Sequence, residues 1–258
     1  MTLKKCIILI LCLMLAVGTA LAEESPESQL LFYAVSELYA KNYEKAAEYL
    51  LPLAELGEPF AQSTLGEMYF EGLGVEKSYE EAAKYFRLAA DQGNADAQLL
   101  LGQMYHEGLG VEQSYEEAAK LFRLSADQGD AAAQISLGNL YYQGQGVEQS
   151  YEKAAKYVRL AADQGDVDAQ KSLGDLYYDG LGVEQSYEEA AKYYRLAADQ
   201  GVVRAQGILG LMYLHGLGVE QSWEEAAKYY LLAADQGNAL AQYSMGLLYE
   251  NGDRKSVV

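Results

Sequence analysis

Residues 95–130 read ADAQLLLGQMYHEGLGVEQSYEEAAKLFRLSADQGD, and residues 131–166 read AAAQISLGNLYYQGQGVEQSYEKAAKYVRLAADQGD. The two blocks are the same sentence with a few words changed. The step of 36 residues extends in both directions. Gly66, Gly102, Gly138, Gly174, Gly210 and Gly246 keep it, as do Gly57, Gly93, Gly129, Gly165, Gly201 and Gly237. Tyr69, Tyr105, Tyr141, Tyr177, Tyr213 and Tyr249 follow, and so do the Ala-Gln pairs from Ala61-Gln62 to Ala241-Gln242. Self-similarity at a fixed period of this size is the signature of stacked supersecondary units.

Within the quoted block, Ala97, Leu101, Met104 and Tyr105 recur at helical spacing and predict a first helix over Ala95–Glu107. Gly102 sits inside it at a cost of about 1 kcal/mol relative to alanine. Its return in every copy predicts a neighbouring helix that approaches too closely for a side chain. Gly108-Leu109-Gly110-Val111 ends the helix, its glycines open to left-handed backbone angles. Ser114-Tyr115-Glu116-Glu117 then fits a reciprocal capping box. The box recurs at Ser78/Glu81, Ser186/Glu189 and Ser222/Glu225, while in the third copy Lys153 stands in the glutamate position and breaks it. The second helix carries Ala118, Ala119, Phe122, Leu124 and Ala126 and stops at Gly129, after which Asp130 caps the next first helix.

One helical hairpin of this size cannot bury both faces, so the core must form by stacking of neighbours. The chain divides into five complete units over 59–238 and a C-terminal half repeat with a tail over 239–258. Upstream, 23–58 forms a capping hairpin, with helices over Gln29–Ala40 and Tyr43–Leu56 joined only by Lys41-Asn42. The expected fold is all-α, a right-handed α-α superhelical solenoid of 36-residue helix-loop-helix repeats.

The first 22 residues are read separately. Lys4 and Lys5, an apolar run from Cys6 to Val17 and Ala20-Leu21-Ala22 before Glu23 together describe a cleavable secretory leader. The run is shorter than the roughly 20 residues a membrane span needs, so no stable span is expected after cleavage. Both cysteines, Cys6 and Cys12, fall in the leader, and the mature chain is left without a disulfide. Export to the periplasm or beyond is expected. Loss of Lys4 and Lys5 takes the formal charge from −19 to −21. That balance excludes nucleic acid and anionic membrane surfaces, both of which call for basic patches. With 50% hydrophobic residues and 23 tyrosines among 258, the chain is also too apolar to be disordered.

The pattern Ala61-Gln62…Leu65-Gly66…Tyr69…Gly72…Gly74-Val75…Tyr79…Ala82-Ala83…Tyr85…Ala89-Ala90…Gly93 resembles the Sel1-like repeat, a relative of the tetratricopeptide repeat with a longer glycine-bearing loop. The resemblance covers about residues 59–252. It implies a superhelical adaptor for proteins or peptides, of the kind that bacterial envelope or host-contact complexes use. The chain departs from those secreted members that clamp each repeat with a disulfide. The capping hairpin over 23–58 looks like a tetratricopeptide unit.

The second helices are nearly constant and read as scaffold. The first helices vary at three positions spaced i, i+4, i+7, which share one face. These are Ser63/Glu67/Phe70, Leu99/Gln103/His106, Ile135/Asn139/Tyr142, Lys171/Asp175/Tyr178 and Gly207/Leu211/Leu214. Free drift on a solvated face is one reading, and a core position displaced by one residue is another. The third, preferred for its aromatic bias at the last position, is a partner-binding groove built on Glu67, Phe70, Gln103, His106, Asn139, Tyr142, Asp175, Tyr178, Leu211 and Leu214.

No catalytic constellation emerges. His106 and His215, the only histidines, lie three repeats apart, and no metal or cofactor is expected. Asp166-Val167-Asp168 opens like a calcium loop but lacks the later ligands and reads as helix capping. Ser150-Tyr151-Glu152-Lys153 spells the SxxK of penicillin-interacting serine enzymes, without the accompanying motifs. The expected function is that of a non-catalytic, monomeric, exported scaffold for a protein or peptide with basic segments. A cell-wall glycan binder and a β-lactamase-like hydrolase are the alternatives.

Overall fold

The computed structural model describes residues 25–255, with side chains as far as Leu248. The leader assigned to residues 1–22 lies outside the described residues. Among the described residues there are thirteen helices and no strand. They are α1 (Pro26–Tyr39), α2 (Tyr43–Glu55), α3 (Pro59–Glu71), α4 (Tyr79–Asp91), α5 (Ala95–Glu107), α6 (Tyr115–Asp127), α7 (Ala131–Gln143), α8 (Tyr151–Asp163), α9 (Val167–Asp179), α10 (Tyr187–Asp199), α11 (Val203–His215), α12 (Trp223–Asp235) and α13 (Ala239–Lys255). The predicted first helix of the quoted block, α5, has the expected bounds. The first hairpin begins three residues earlier than its apolar pattern suggests, because Ser25 accepts a hydrogen bond from the Ser28 amide and Pro26 presets the first turn.

Helix ends follow from local chemistry. Ser78, Ser114, Ser150, Ser186 and Ser222 each accept the backbone N–H three residues on, at 3.2 Å. The reciprocal half of the predicted capping box does not form. The Ser114 N–H donates instead to the Tyr105 carbonyl at 2.8 Å, and the Glu117 carboxylate turns to Lys120, also at 2.8 Å. For the same reason Lys153 does not break the third copy: its backbone N–H, which any residue supplies, still reaches Ser150. Second helices close with Schellman geometry, the Gly93 N–H on the Ala90 carbonyl and the Asn94 N–H on the Ala89 carbonyl. In α1 the same closure is made by Lys41, a non-glycine residue at φ 59°.

The chain forms two compact units, divided after Ala133 inside α7. In the first unit, Val35, Leu50, Leu53, Leu65 and Met68 form one apolar centre, and Ala82, Phe86, Leu101 and Met104 form the next. In the second, Ala190, Tyr194, Leu209, Met212 and Tyr229 pack together, followed by Ala226, Tyr230, Ala233 and Ala241.

Gly66, Gly102, Gly138, Gly174 and Gly210 do what their recurrence predicts, whereas a β-carbon on Gly246 would meet nothing within 4 Å. A β-carbon on Gly174 would lie 2.8 Å from the Tyr194 ring, and one on Gly102 would lie 2.7 Å from the Phe122 ring. The bare backbone lets the second helix seat an aromatic ring directly on the first. The loop glycine Gly182, at φ 72°, lies so close to the Tyr151 carbonyl that no side chain fits.

Two polar relays repeat within each unit. The buried Gln98 donates to the Ala90 carbonyl at 3.1 Å and accepts from Gln128 at 2.8 Å. Gln206 does the same with Ala198 and Gln236. Arg87, Arg159 and Arg195 donate to the hydroxyls of Tyr105, Tyr177 and Tyr213 at 2.7–2.8 Å. The constant polar residues of the second helices therefore hold one hairpin to the next.

Candidate functional site

In the second unit the first helices meet around an open cavity of about 540 Å³. Tyr142 on α7, Asp175 and Tyr178 on α9, Arg204 and Leu211 on α11 and Leu240 on α13 form its wall. The second helices contribute only the Tyr194 and Tyr230 rings. These are the rings admitted by Gly174 and Gly210, so the glycine that permits close hairpin packing also brings a tyrosine to the cavity. An adjoining cavity of about 260 Å³ shares Tyr142 and Asp175 and adds Asn139 and Lys171.

Asp175 organises the polar side. The Tyr194 hydroxyl donates to its Oδ1 at 2.7 Å, and Lys171 Nζ lies 3.3 Å and Arg204 3.9 Å from its Oδ2. Burial, reinforced by the hydrogen bond to Asp175, pushes the Tyr194 phenol well above its ordinary range and keeps it a donor. The carboxylate is thus matched by two cations, and the site offers a charge-compensated polar cluster beside an apolar wall. Tyr142, Leu211 and Leu240 are 41%, 37% and 72% exposed.

Five of the ten predicted groove residues, Asn139, Tyr142, Asp175, Tyr178 and Leu211, therefore come together. Leu214 does not line the cavity but packs, partly buried, against Ala226, Tyr230, Ala233 and Ala241. Glu67, Phe70, Gln103 and His106 belong to the first unit. There Gln103 is exposed, while burial, then Asp96, then Glu71 push the half-buried Glu67 carboxyl up to about 7.

The aromatic bias at the third position has a second cause that spacing alone did not reveal. Phe70, His106, Tyr142 and Tyr178 each set an edge-on ring contact, 5.1 Å between centroids, with the tyrosine that opens the following helix: Tyr79, Tyr115, Tyr151 and Tyr187. Arg204, Leu240 and the ring of Tyr194 were not singled out by sequence. A signal for the last existed, because its position runs Phe86, Phe122, Val158, Tyr194, Tyr230 along otherwise uniform second helices.

The other sequence candidates find ordinary places. Asp166 Oδ1 accepts the Ala169 N–H at 2.9 Å as a helix cap. Ser150 is occupied as a cap, and the Lys153 ammonium lies 5.1 Å from the centroid of the Tyr141 ring. Among the described residues, no group of three His, Cys, Asp or Glu is placed to hold a metal ion. Among the same residues, no helix is long and apolar enough to cross a membrane.

A family model described as Sel1 repeat matches seven consecutive segments: 33–58, 59–94, 95–130, 131–166, 167–202, 203–238 and 239–257. Among solved structures, a protective antigen present in uropathogenic Escherichia coli strains and displaying an SLR fold is 34% identical, with a TM-score of 0.81 over 89% of this chain and 52% of that one. This chain thus spans about half the length of that relative. A Sel1 repeat protein from Oxalobacter formigenes is also 34% identical, with a TM-score of 0.77 over 84% of this chain and 89% of its own. The pilF protein of Pseudomonas aeruginosa shares the fold at 20% identity, with a TM-score of 0.59 over 86% of this chain and 96% of its own. No curated protein matches.

Proposed function

The chain belongs to the Sel1 repeat family, and from that premise we propose that it is an exported, non-catalytic adaptor that holds a segment of a partner polypeptide in the cavity of its second unit. Its fold is typical of protein–protein interaction scaffolds. The observation that carries the reading is the convergence of Tyr142, Asp175, Tyr178 and Leu211, from three successive first helices, on one open cavity. Concave, largely apolar sites with a few fixed polar groups are the usual form of a ligand site. Here Tyr142, Leu211 and Leu240 offer purchase to an apolar anchor, and the Asp175–Arg204 cluster offers hydrogen bonds to the segment's backbone.

The formal charge of −19 favours a segment with basic flanks, chiefly by raising the rate of encounter. The leader pattern supports export. So does the description of one relative as a protective antigen.

The test begins with peptides selected from a displayed library against the full chain. Leu211→Glu places a charge on the exposed cavity wall and should weaken binding at least tenfold with little change in melting temperature. Leu124→Glu, at a residue 52% exposed on α6 in the first unit, should leave binding unchanged. Peptides that survive Leu211→Glu, or that are lost equally with Leu124→Glu, would overturn the reading.

A further inference from the structure

We propose that a second cavity, beside α8, binds a phosphate group. It has a volume of about 480 Å³, and Lys153, Lys156, Arg159, Gly182 and Val183 contribute to its wall. The case rests on what the third repeat does differently from its neighbours. In the others, the lysine of the second helix is ion-paired to the glutamate three residues earlier: Lys84–Glu81 at 2.8 Å, Lys120–Glu117 at 2.8 Å, Lys192–Glu189 at 3.2 Å and Lys228–Glu225 at 3.0 Å. In the third repeat that glutamate is Lys153, so Lys156 lacks the partner three residues earlier and gains a second lysine beside it, with Glu152, four residues earlier, as the remaining acid.

Spaced i, i+3, i+6, the three cations follow one another along α8 and all border the cavity. Lys153 Nζ is 5.1 Å from the centroid of Tyr141, Lys156 Nζ is 5.4 Å from that of Tyr157, and the Arg159 guanidinium carbon is 5.6 Å from that of Tyr177. Arg159 is held in place by its 2.7 Å hydrogen bond to the Tyr177 hydroxyl. The start of α8, capped by Ser150, adds the positive end of the helix dipole. Glu152 and Asp163 also line the cavity, and both have counterparts in every repeat. With them included, the local formal charge is +1, against −1 for the corresponding Glu188, Glu189, Lys192, Arg195 and Asp199 of the fourth repeat.

One substitution thus turns a face of local charge −1 into one of +1 that borders a cavity, in a protein whose net charge is −19. A dianion doubles the attraction to the three cations and the repulsion from the two acids alike, so it gains from the net local charge of +1, and two lysines with an arginine are suited to phosphate oxygens. The Ser150…Lys153 spacing acquires a binding role here rather than a catalytic one. The proposal is independent of the polypeptide reading of the other cavity.

Titration of the full chain with inorganic phosphate, at constant ionic strength in chloride and followed by amide NMR, tests it. Saturable shifts are expected at Gly182 and Val183 and not at their fourth-repeat counterparts Gly218 and Val219. Lys153→Glu keeps the Ser150 cap, which uses only backbone, and should weaken phosphate binding about tenfold or more. Glu189→Lys should bring the response to Gly218 and Val219. Equal or non-saturating shifts in both loops, an unchanged affinity in Lys153→Glu, or acetate binding as tightly as phosphate would each overturn the proposal.

Discussion

Gln92 donates its side-chain amide to the side-chain oxygen of Gln62 at 2.7 Å, across thirty residues of sequence and from one hairpin to the next. Gln62 in turn donates to the Ala54 carbonyl at the end of the preceding helix, at 3.0 Å. The buried glutamines recur because each adds a second donor to a helix-end carbonyl already bonded by the following glycine N–H, as at Ala54, Ala90 and Ala198, and accepts one bond from the following repeat. The constant Ala-Gln pair of the sequence is therefore a hydrogen-bond relay, with alanine allowing the approach and glutamine making the link.

The relay can be measured in the second unit. Gln206 is 3% exposed and is bonded to both Ala198 and Gln236. Gln206→Leu removes both of its hydrogen bonds, although the Ala198 carbonyl keeps the Gly201 N–H at 3.0 Å, and should cost about 2 kcal/mol in urea unfolding, while Gln236→Leu, which removes only the shared bond, should cost about 1 kcal/mol. The double variant should cost less than the sum by about 0.5–1 kcal/mol, because both changes remove one shared bond. Strict additivity would refute the relay.

The thirteen helices were legible because the period overdetermines them: glycine loops, serine caps and apolar stripes all repeat in phase. The candidate cavity was legible only in part. Tyr142, Asp175, Tyr178 and Leu211 were found from variation on one helix face, which is a property of a single element. Arg204 and Tyr194 enter the same cavity from other helices, and the distance between elements is not written in spacing along one of them. The same variation picked out Leu214, which packs against Tyr230 and Ala233 outside the cavity, and it hid the edge-on contacts that give Phe70, His106, Tyr142 and Tyr178 a structural reason to be aromatic. The capping box failed for a related reason, since Lys120, one turn on, competes for the Glu117 carboxylate.

Two glycines that look alike in the repeat should respond differently to alanine. Gly201 lies at φ 91°, and a β-carbon added there would meet nothing within 4 Å, so Gly201→Ala should cost only the left-handed backbone penalty of about 1–2 kcal/mol. Gly182 adds collision with the Tyr151 backbone, which cannot swing aside as a side chain can. Gly182→Ala should cost about 3 kcal/mol or more. Lys41→Gly, at the non-glycine left-handed position, should move the other way and raise the melting temperature. Equal losses for the two alanine variants would contradict the loop packing.

Glu67 gives stability a pH dependence opposite in sign to that of a salt-bridged carboxylate. Its counterpart Asp175 is held by Lys171, Arg204 and the Tyr194 hydroxyl, whereas the positions corresponding to those partners around Glu67 are Ser63, Asp96 and Phe86. Burial foremost, then Asp96 and Glu71, push its carboxyl up from 4.5 to about 7. The folded state therefore holds the proton more tightly than the unfolded chain. The resulting stabilisation is full below about pH 4.5 and is lost as pH rises through 7, a difference of at most about 3 kcal/mol. Glu67→Gln keeps the neutral shape at every pH. It should be more stable than the parent chain at pH 8, and the advantage should shrink steadily toward pH 4.5 in urea unfolding. Because every other carboxylate is common to both proteins, the difference between them isolates this one group, and parallel stability profiles would show that Glu67 ionises as freely in the fold as outside it.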